Sequence, residues 1–538
     1  MRLNDKVLRW LFPALIAISF SVNYAGIFDR KMDINGDNYY YYMLAQNLAE
    51  GKGYVTDIGL EPVPHTHFPP GYPAFMSLFM HIFPDNAVAM KVLNGLLLLL
   101  SLLLLYHILV RTAPKYGRII ALVSCLLCTL HPDLLRWSTI IMSEMLYLTV
   151  SLGIIAIFLA LDWESLAKKR TGQILLVALL CAFVFCTYFI RTIGISVVLA
   201  LMAALAVVSA TRKKVLPLVV CGLVALSLFA AHESWSIRNN RAVPGYKSDY
   251  LKTFKYDGSG KEMATLEQWN NRIGTNLKNF VYFFIPQSVI HPIRILEHPI
   301  DLPQPKWYDF VLGIAVIALI LTGLATLKGI GWLLVFYVLI TFAVLMVYPE
   351  EYGGTRYFIP MLPLMIAGLV SGVCTVTGLI LNAFRNHRIS WLQPSLLGVL
   401  LVLLGFSYAR DQWFYRGEAS DNYSEFSPTF ATVDEFRKAS EFFSDYPEDI
   451  LVAVVKPEIF YFHSNRHHAV GIPRQGTPED VIEDLFHKKA DYVIIDHYFK
   501  SAYRVIIPAV MKYPSYFQLV QLYGDEKDGM TAVYKFLP

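Results

Sequence analysis

Asp37 is the first side chain in this sequence placed to do chemistry. It opens GDNYYYYMLAQNLAEGKGY (36–54), a single carboxylate ahead of four tyrosines, in a stretch that reads as a helix closed by Gly51 or Gly53. A carboxylate there can accept amide protons as a helix N-cap or take a proton from a reacting group. HTHFPPGYPAFM (65–76) follows, where the prolines enforce a rigid turn. His65 and His67 alternate as metal ligands can, but two histidines without a third ligand also read as polar interface groups. In HPDLLRWSTIIMSEMLYL (131–148), Glu144 stands inside an apolar run. A carboxylate in lipid is costly, so it either serves function or is neutralised by a proton or an arginine. Arg191 is similar in kind. EEYGGTRYFIPMLPLM (350–365) brings Arg356 and Tyr357 to the mouth of another apolar run. Arginine forms bidentate contacts with phosphate, and as an isolated residue it also serves as an interfacial anchor. Together, these groups suit a lipid phosphate entering from the bilayer, with arginine holding the phosphate and a carboxylate accepting a proton.

The elements that must position them are membrane helices. The chain has 538 residues, 55% hydrophobic and 16% charged, against about 25% charged in soluble domains. It reads as a polytopic membrane protein with some soluble mass. The formal net charge of +4 gives no reason to expect nucleic acid as a partner. Runs of roughly 20 apolar residues predict eleven spans, near 8–28, 88–110, 117–132, 141–161, 173–190, 192–210, 214–233, 308–327, 330–348, 357–381 and 392–409. The fifth and sixth are split at Arg191. The first has a basic flank and no small-residue cleavage site, and reads as an uncleaved anchor. The apolar stretch 73–83 is too short to span and reads as an interfacial helix, and the tyrosine stretch reads as another, with its rings at headgroup level and Asp37 turned toward a cavity. All six cysteines lie in apolar runs, so Cys125-x-x-Cys128 reads as two small helix residues rather than a redox or zinc pair.

Basic clusters set the orientation. RTAPKYGR (111–118), AKKR (167–170), TRKK (211–214) and FRNHR (384–388) fall on one side, taken as cytoplasmic together with the N-terminus. Segments 29–87, 131–140, 234–307, 349–356 and 410–538 then lie outside. The membrane part is 1–409, with 29–87 a first outer loop bearing interfacial helices and 234–307 a long outer loop. The tail, 410–538, alternates ILVAVV (450–455), DYVIID (491–496), FQLVQLY (517–523) and TAVYKFL (531–537) with helical stretches such as TPEDVIEDLFHKK (477–489). It reads as a small α/β domain without a glycine-rich phosphate loop. Thr477, with Asp480 three residues on, is the expected N-cap.

The order of Asp37 with its tyrosines, then PPGYP, SEMLY and TRYFIPMLP, resembles the GT-C glycosyltransferases of family 39, which include protein O-mannosyltransferases and lipid A aminoarabinose transferases. The resemblance covers roughly 1–410. It implies an inverting transfer from a polyprenyl-phosphate-linked sugar to a lipid, glycan or protein acceptor, on the outer face of a bacterial inner membrane. It implies Asp37 as general base, or as the group that positions the acceptor. Arg356 and His67 would serve the donor phosphate, while Tyr40, Tyr41, His65, Tyr72, Glu144, Arg191 and Tyr357 would line the substrate cavity. No cofactor is certain, and a divalent metal is left open. Two positions depart from the family pattern. Asn38 stands where many members have a second acid, and Phe68 where aminoarabinose transferases often carry lysine. Positive charge would then come from His65, His67 or Arg356. Two other readings use the same residues: a transporter or flippase of a lipid-linked saccharide, and an assembly protein that presents its tail to a partner.

Overall fold

The computed structural model describes residues 5–30, 32, 36–113, 116–244, 265–290, 306–348, 355–383, 391–421, 433–447, 449–473, 476–496, 502–525 and 529–537. Each of the eleven expected spans coincides with a helix. Eight helices among the described residues are long and apolar enough to cross a membrane: Leu8–Ile27, Ala87–Thr112, Thr171–Ile190, Thr192–Arg212, Leu216–Ala242, Trp307–Ala325, Leu362–Ala383 and Leu392–Trp413. The third expected span is a bent pair, Gly117–Leu130 and Pro132–Ser138, which meet at 63°. Pro132, at the first turn of the second piece, has no amide with which to continue the first. Two shorter apolar helices, Glu144–Ala160 and Gly331–Met346, complete the set. The chain is a multi-pass membrane protein.

The expected split at Arg191 is present. Its backbone is extended (φ −151°, ψ 138°) between Thr171–Ile190 and a short 3-10 turn at Thr192–Gly194. Small residues bring two other helices together. A Cβ on Gly323 would lie 1.9 Å from the carbonyl of Gly368, and one on Gly372 2.1 Å from that of Leu319. Gly368 and Gly372 thus form a small-xxx-small seam that lets Leu362–Ala383 pack backbone to backbone on Trp307–Ala325. That helix follows directly on the turn that carries Arg356, so the seam fixes where the arginine starts.

The basic loops gather at one end of the bundle. Glu164, beside AKKR, pairs with Lys214 of TRKK, and the Lys328 amide donates to the Thr112 carbonyl (2.8 Å). FRNHR lies outside the described residues. The first loop and the tail occupy the other end, where the Ala469 amide donates to the Ile58 carbonyl (2.8 Å).

In the first loop, a helix at Asp37–Ala49 leads to a two-stranded hairpin, β1 (Val55–Thr56) and β2 (Val63–Pro64), and then to a helix at Gly71–Met80. The tail holds a mixed sheet of β3 (Leu451–Val454), β4 (His468–Gly471), β5 (Tyr492–Asp496), β6 (Phe517–Asp525) and β7 (Gly529–Phe536), in the order β4-β3-β5-β7-β6. β3 is parallel to both β4 and β5, and the remaining pairings are antiparallel. Side chains alternate across β3. Val452 and Val454 join the large core that runs on from the membrane part, whereas Ala453 and Val455 join a separate core with Val481, Leu485 and Ile495. The capping box is as expected. Thr477 Oγ1 accepts from the Asp480 amide (3.3 Å) and Asp480 Oδ2 from the Thr477 amide (2.7 Å). The helix Leu392–Asp421 runs through residue 409, so the membrane part and the tail are joined by continuous helix.

Candidate functional site

The tyrosine helix is built differently from its sequence expectation. Asp37 is its first residue, not its cap. Gly36 occupies the cap position at φ +93°, and its amide donates to Asn38 Oδ1 (3.2 Å). The positive φ suits glycine, and a Cβ there would also lie 2.7 Å from Glu458 Oε1 of the tail. The tyrosines do not present their rings to lipid as expected; Tyr39, Tyr41 and Tyr42 are buried in protein and Tyr40 is half-buried. Successive residues of a helix face different ways. Tyr39 and Tyr42 meet Phe462 of the tail edge-on, at ring separations of 5.1 and 5.6 Å. Tyr41 faces the membrane part, perpendicular to Tyr72 at 5.2 Å.

Released from capping, Asp37 reaches across the molecule. Arg356 Nη2 donates to Asp37 Oδ2 (3.1 Å), and Arg356 Nε to Glu144 Oε1 (2.9 Å). Its guanidinium lies over the Trp137 ring, 5.3 Å from the centroid. Arg191 Nη1 reaches the same Glu144 oxygen at 2.6 Å. Two acids and two arginines thus form one charge-balanced chain, Asp37–Arg356–Glu144–Arg191. Its ends differ in exposure. The Glu144 side chain is 0% exposed, whereas Asp37 and Arg356 are 35% and 26% exposed. Glu144 Oε2 has no hydrogen-bond partner among the described residues. Burial opposes the charge on Arg356, but Glu144 and Asp37 beside it hold the guanidinium above its ordinary range. Burial also pushes the Tyr41 phenol up to about 12, so it stays a neutral hydroxyl, 3.4 Å from Ser143 Oγ.

Asp37 opens onto a cavity of about 610 Å³, lined by Tyr40 and the 63–68 strip of the first loop and by Val455–Glu458 and Gly471–Ile472 of the tail. His65 and His67 both line it, in different roles. His65 Nε2 accepts from the Phe68 amide (3.0 Å), which leaves the proton on Nδ1, 2.8 Å from Thr56 Oγ1. His65 is therefore a neutral, buried brace for the hairpin rather than a source of positive charge. Its carbonyl accepts from Arg238, which also donates to the Tyr54 carbonyl (2.9 Å). His67 is exposed at the rim, edge-on to Phe68 at 4.6 Å.

The other expected cavity residues lie outside this lining. Tyr72 is fully buried and donates to Asn94 Oδ1 (3.1 Å), while Asn94 Nδ2 donates to the Ile140 carbonyl (2.6 Å), bracing the segment that leads to Glu144. Gly71 allows this packing, since a Cβ there would lie 2.7 Å from the Phe189 carbonyl, two residues before Arg191. Tyr41, Glu144 and Arg191 stand behind Asp37 and Arg356, and Tyr357 packs on Tyr348 at 5.5 Å. These five hold the site and do not face its cavity.

Sequence reasoning missed Trp137, Asn94, Lys456 and Glu458. Trp137 lies within a segment already singled out. Lys456 and Glu458 carry a fainter signal: they follow directly on a strand, where α/β sheets bind ligands. The donor set does not fit a divalent ion. Arg356 stands between the two network carboxylates, and no group of three His, Cys, Asp or Glu side chains converges among the described residues.

No protein-family model matches the sequence, and no curated protein matches it as a relative. Solved structures do match in fold. ArnT from Cupriavidus metallidurans bound to undecaprenyl phosphate is 12% identical, with a TM-score of 0.59 over 99% of this chain and 98% of that one. The archaeal oligosaccharyltransferase AglB from Archaeoglobus fulgidus, in complex with an inhibitory peptide and a dolichol-phosphate, is also 12% identical, with a TM-score of 0.59 over 98% of this chain and 74% of its own. The fold is that of the GT-C glycosyltransferases. A further AglB structure, crystallised with Zn and sulfate, shares it at a TM-score of 0.55 and 12% identity, over 97% of this chain and 73% of that one. At these identities the likeness concerns the path of the chain, including the pairing of a helical membrane part with a small C-terminal sheet domain.

Proposed function

We propose that this protein is an inverting glycosyltransferase that moves a sugar from a polyprenyl-phosphate carrier to an acceptor on the outer face of a bacterial inner membrane. One observation carries the reading: a partly exposed carboxylate on the lining of a cavity is paired with a partly exposed arginine behind that lining, and the arginine is anchored in turn by a buried acid. The undecaprenyl phosphate on ArnT and the dolichol-phosphate on AglB support the carrier class. The gathering of the basic loops at the end opposite the tail supports a cytoplasmic N-terminus and an extracytoplasmic tail.

The geometry suggests an order of events. While Arg356 donates to Asp37 Oδ2, that oxygen is occupied as an acceptor. Arg356 has stronger claims on a phosphate than on Asp37, since a phosphate offers more charge and bidentate oxygens. Arrival of the donor draws Arg356 from Asp37 while Glu144 still holds its Nε. Asp37 then takes the proton of the acceptor's O–H as that oxygen attacks the anomeric carbon. The carbon–oxygen bond to phosphate breaks, and its electron pair leaves with the polyprenyl phosphate, held by Arg356. One base suffices, because the phosphate leaves without protonation.

Asp37 is thus both the base and an internal competitor for the donor. Asp37→Asn is expected to abolish transfer and to tighten undecaprenyl phosphate binding several-fold, whereas Arg356→Ala loses binding. Titration of undecaprenyl phosphate into the three purified proteins tests this. Binding by Asp37→Asn weaker than wild type, or binding by Arg356→Ala equal to it, removes Arg356 from the phosphate site.

A further inference from the structure

The wall of the cavity opposite the first loop belongs to the tail, and it is built from the carboxyl ends of two parallel strands. Val455 and Lys456 follow β3, and Gly471 and Ile472 end and follow β4. β3 also lies parallel to β5. The chain leaves β3 toward β4 on one side and leaves β5 toward the β6–β7 edge on the other. Open α/β sheets bind ligands in the crevice outside the carboxyl ends of strands where the connections diverge in this way. Here the ends of β3 and β4, on one side of that divergence, line the cavity that Asp37 shares.

The tail also brings charge. Lys456 Nζ lies 3.5 Å from Glu458 Oε1, with the lysine side chain 22% exposed. The approach to the first loop is close: Lys456 Nζ would be 3.1 Å from a Cβ on Gly36, the residue beside Asp37. Of the other basic groups on the lining, His65 has both ring nitrogens committed to hydrogen bonds, and His67 stands at the rim. Arg356 approaches from the membrane side, already shared by two acids. A molecule in this cavity therefore meets the Lys456–Glu458 pair of the tail and a carboxylate from the first loop.

We propose that the tail forms an anion subsite on this cavity, with Lys456 binding a phosphate or carboxylate group of the molecule on which Asp37 acts. The inference rests on the reading of the cavity as the substrate site. It gives the tail a share in substrate binding beyond covering the site. The anion has two sources, the phosphate of the lipid carrier or a separate acidic group on the acceptor.

Titrations of the whole detergent-solubilised chain with inorganic phosphate and with undecaprenyl phosphate separate them, using wild type, Lys456→Gln and Lys456→Arg. Lys456→Gln is expected to weaken inorganic phosphate at least tenfold, and Lys456→Arg, which keeps the charge and reports on folding, to bind near wild type. Unchanged undecaprenyl phosphate binding in Lys456→Gln assigns the subsite to the acceptor, and a parallel loss assigns it to the carrier. If Lys456→Gln binds both probes like wild type, or if wild type binds neither, the proposal is overturned. A wild type that binds inorganic phosphate through Lys456 but takes no undecaprenyl phosphate defeats the carrier reading and leaves the subsite standing.

Discussion

Two arginines in this molecule each bridge two carboxylates from distant parts of the chain, and they differ in how deeply one of those carboxylates is buried. Arg356 joins Asp37 and Glu144, and Glu144 is wholly buried. Arg466 of the tail joins Glu50 (2.7 Å) and Asp85 (3.2 Å) of the first loop, whose side chains are 35% and 71% exposed. The contact lists look alike, but the energetics differ. Charges near water are screened and their pairs contribute little, whereas inside the protein each charge depends on its partner. The inner network ties the first loop to the membrane helices through a buried acid, and the outer one fastens the tail with a weak, salt-sensitive latch. Asn465 and Arg466 both adopt positive φ (58° and 68°), a local cost accepted to aim the arginine across the gap.

The comparison breaks most sharply at Glu144. Glu144→Ala leaves Arg191 and Arg356 as buried like charges and should cost about 3–5 kcal/mol, read as a large fall in thermal stability in detergent together with loss of transfer. A loss below about 1 kcal/mol would mean that water reaches the network and that the contrast is false.

A middle case is His463, which packs edge-on to Tyr39 with its Nε2 3.2 Å from the tyrosine hydroxyl, at the seam between tail and first loop. Burial, with the charge of Arg437 nearby, holds its imidazole well below the ordinary range, to about 3. The unfolded chain takes up that proton near pH 6.5. Between these values the opened state binds more protons, so the seam is most stable above about pH 7 and weakens as pH falls. Between pH 6.5 and 5.5 the loss should be about 1 kcal/mol. His463→Gln should flatten this dependence, as read by proteolysis of the tail across that range. An unchanged pH profile in the variant would assign the effect to another group.

The smallest effect belongs to Arg466→Ala, expected to cost under about 1 kcal/mol and to matter less still as salt rises. A salt-independent loss of several kcal/mol would make the latch as buried in effect as the inner network.

The membrane helices were legible because lipid demands long apolar runs, and the break at Arg191 because a charge interrupts one. The capping box at Thr477 was legible because all of its parts lie within four residues. What escaped depends on distance along the chain. Arg356 and Asp37 are 319 residues apart, and nothing local in either segment says that they meet. The N-cap expectation for Asp37 failed because Gly36 and Asn38 satisfy the helix start themselves, a competition between neighbours that residue type alone does not decide. The tyrosines were expected at the bilayer surface because their rings prefer it, but Phe462 of the tail, far along the sequence, covers Tyr39 and Tyr42, and Tyr41 packs on Tyr72. β4 was missed because HAVG is short and begins with a half-buried histidine, so its hydrophobic pattern is faint.

The inner network also sets a timetable for biosynthesis. Glu144 and Arg191 bracket a single helical hairpin, so the acid enters the bilayer with a countercharge close behind it in the emerging chain. Asp37 has by then already been made, and Arg356 is still to come. A chain halted before Thr355 would hold the buried Glu144–Arg191 pair, while Asp37 still lacks its arginine. The contact between Asp37 and Arg356 is therefore the last link of the network that the nascent protein can form.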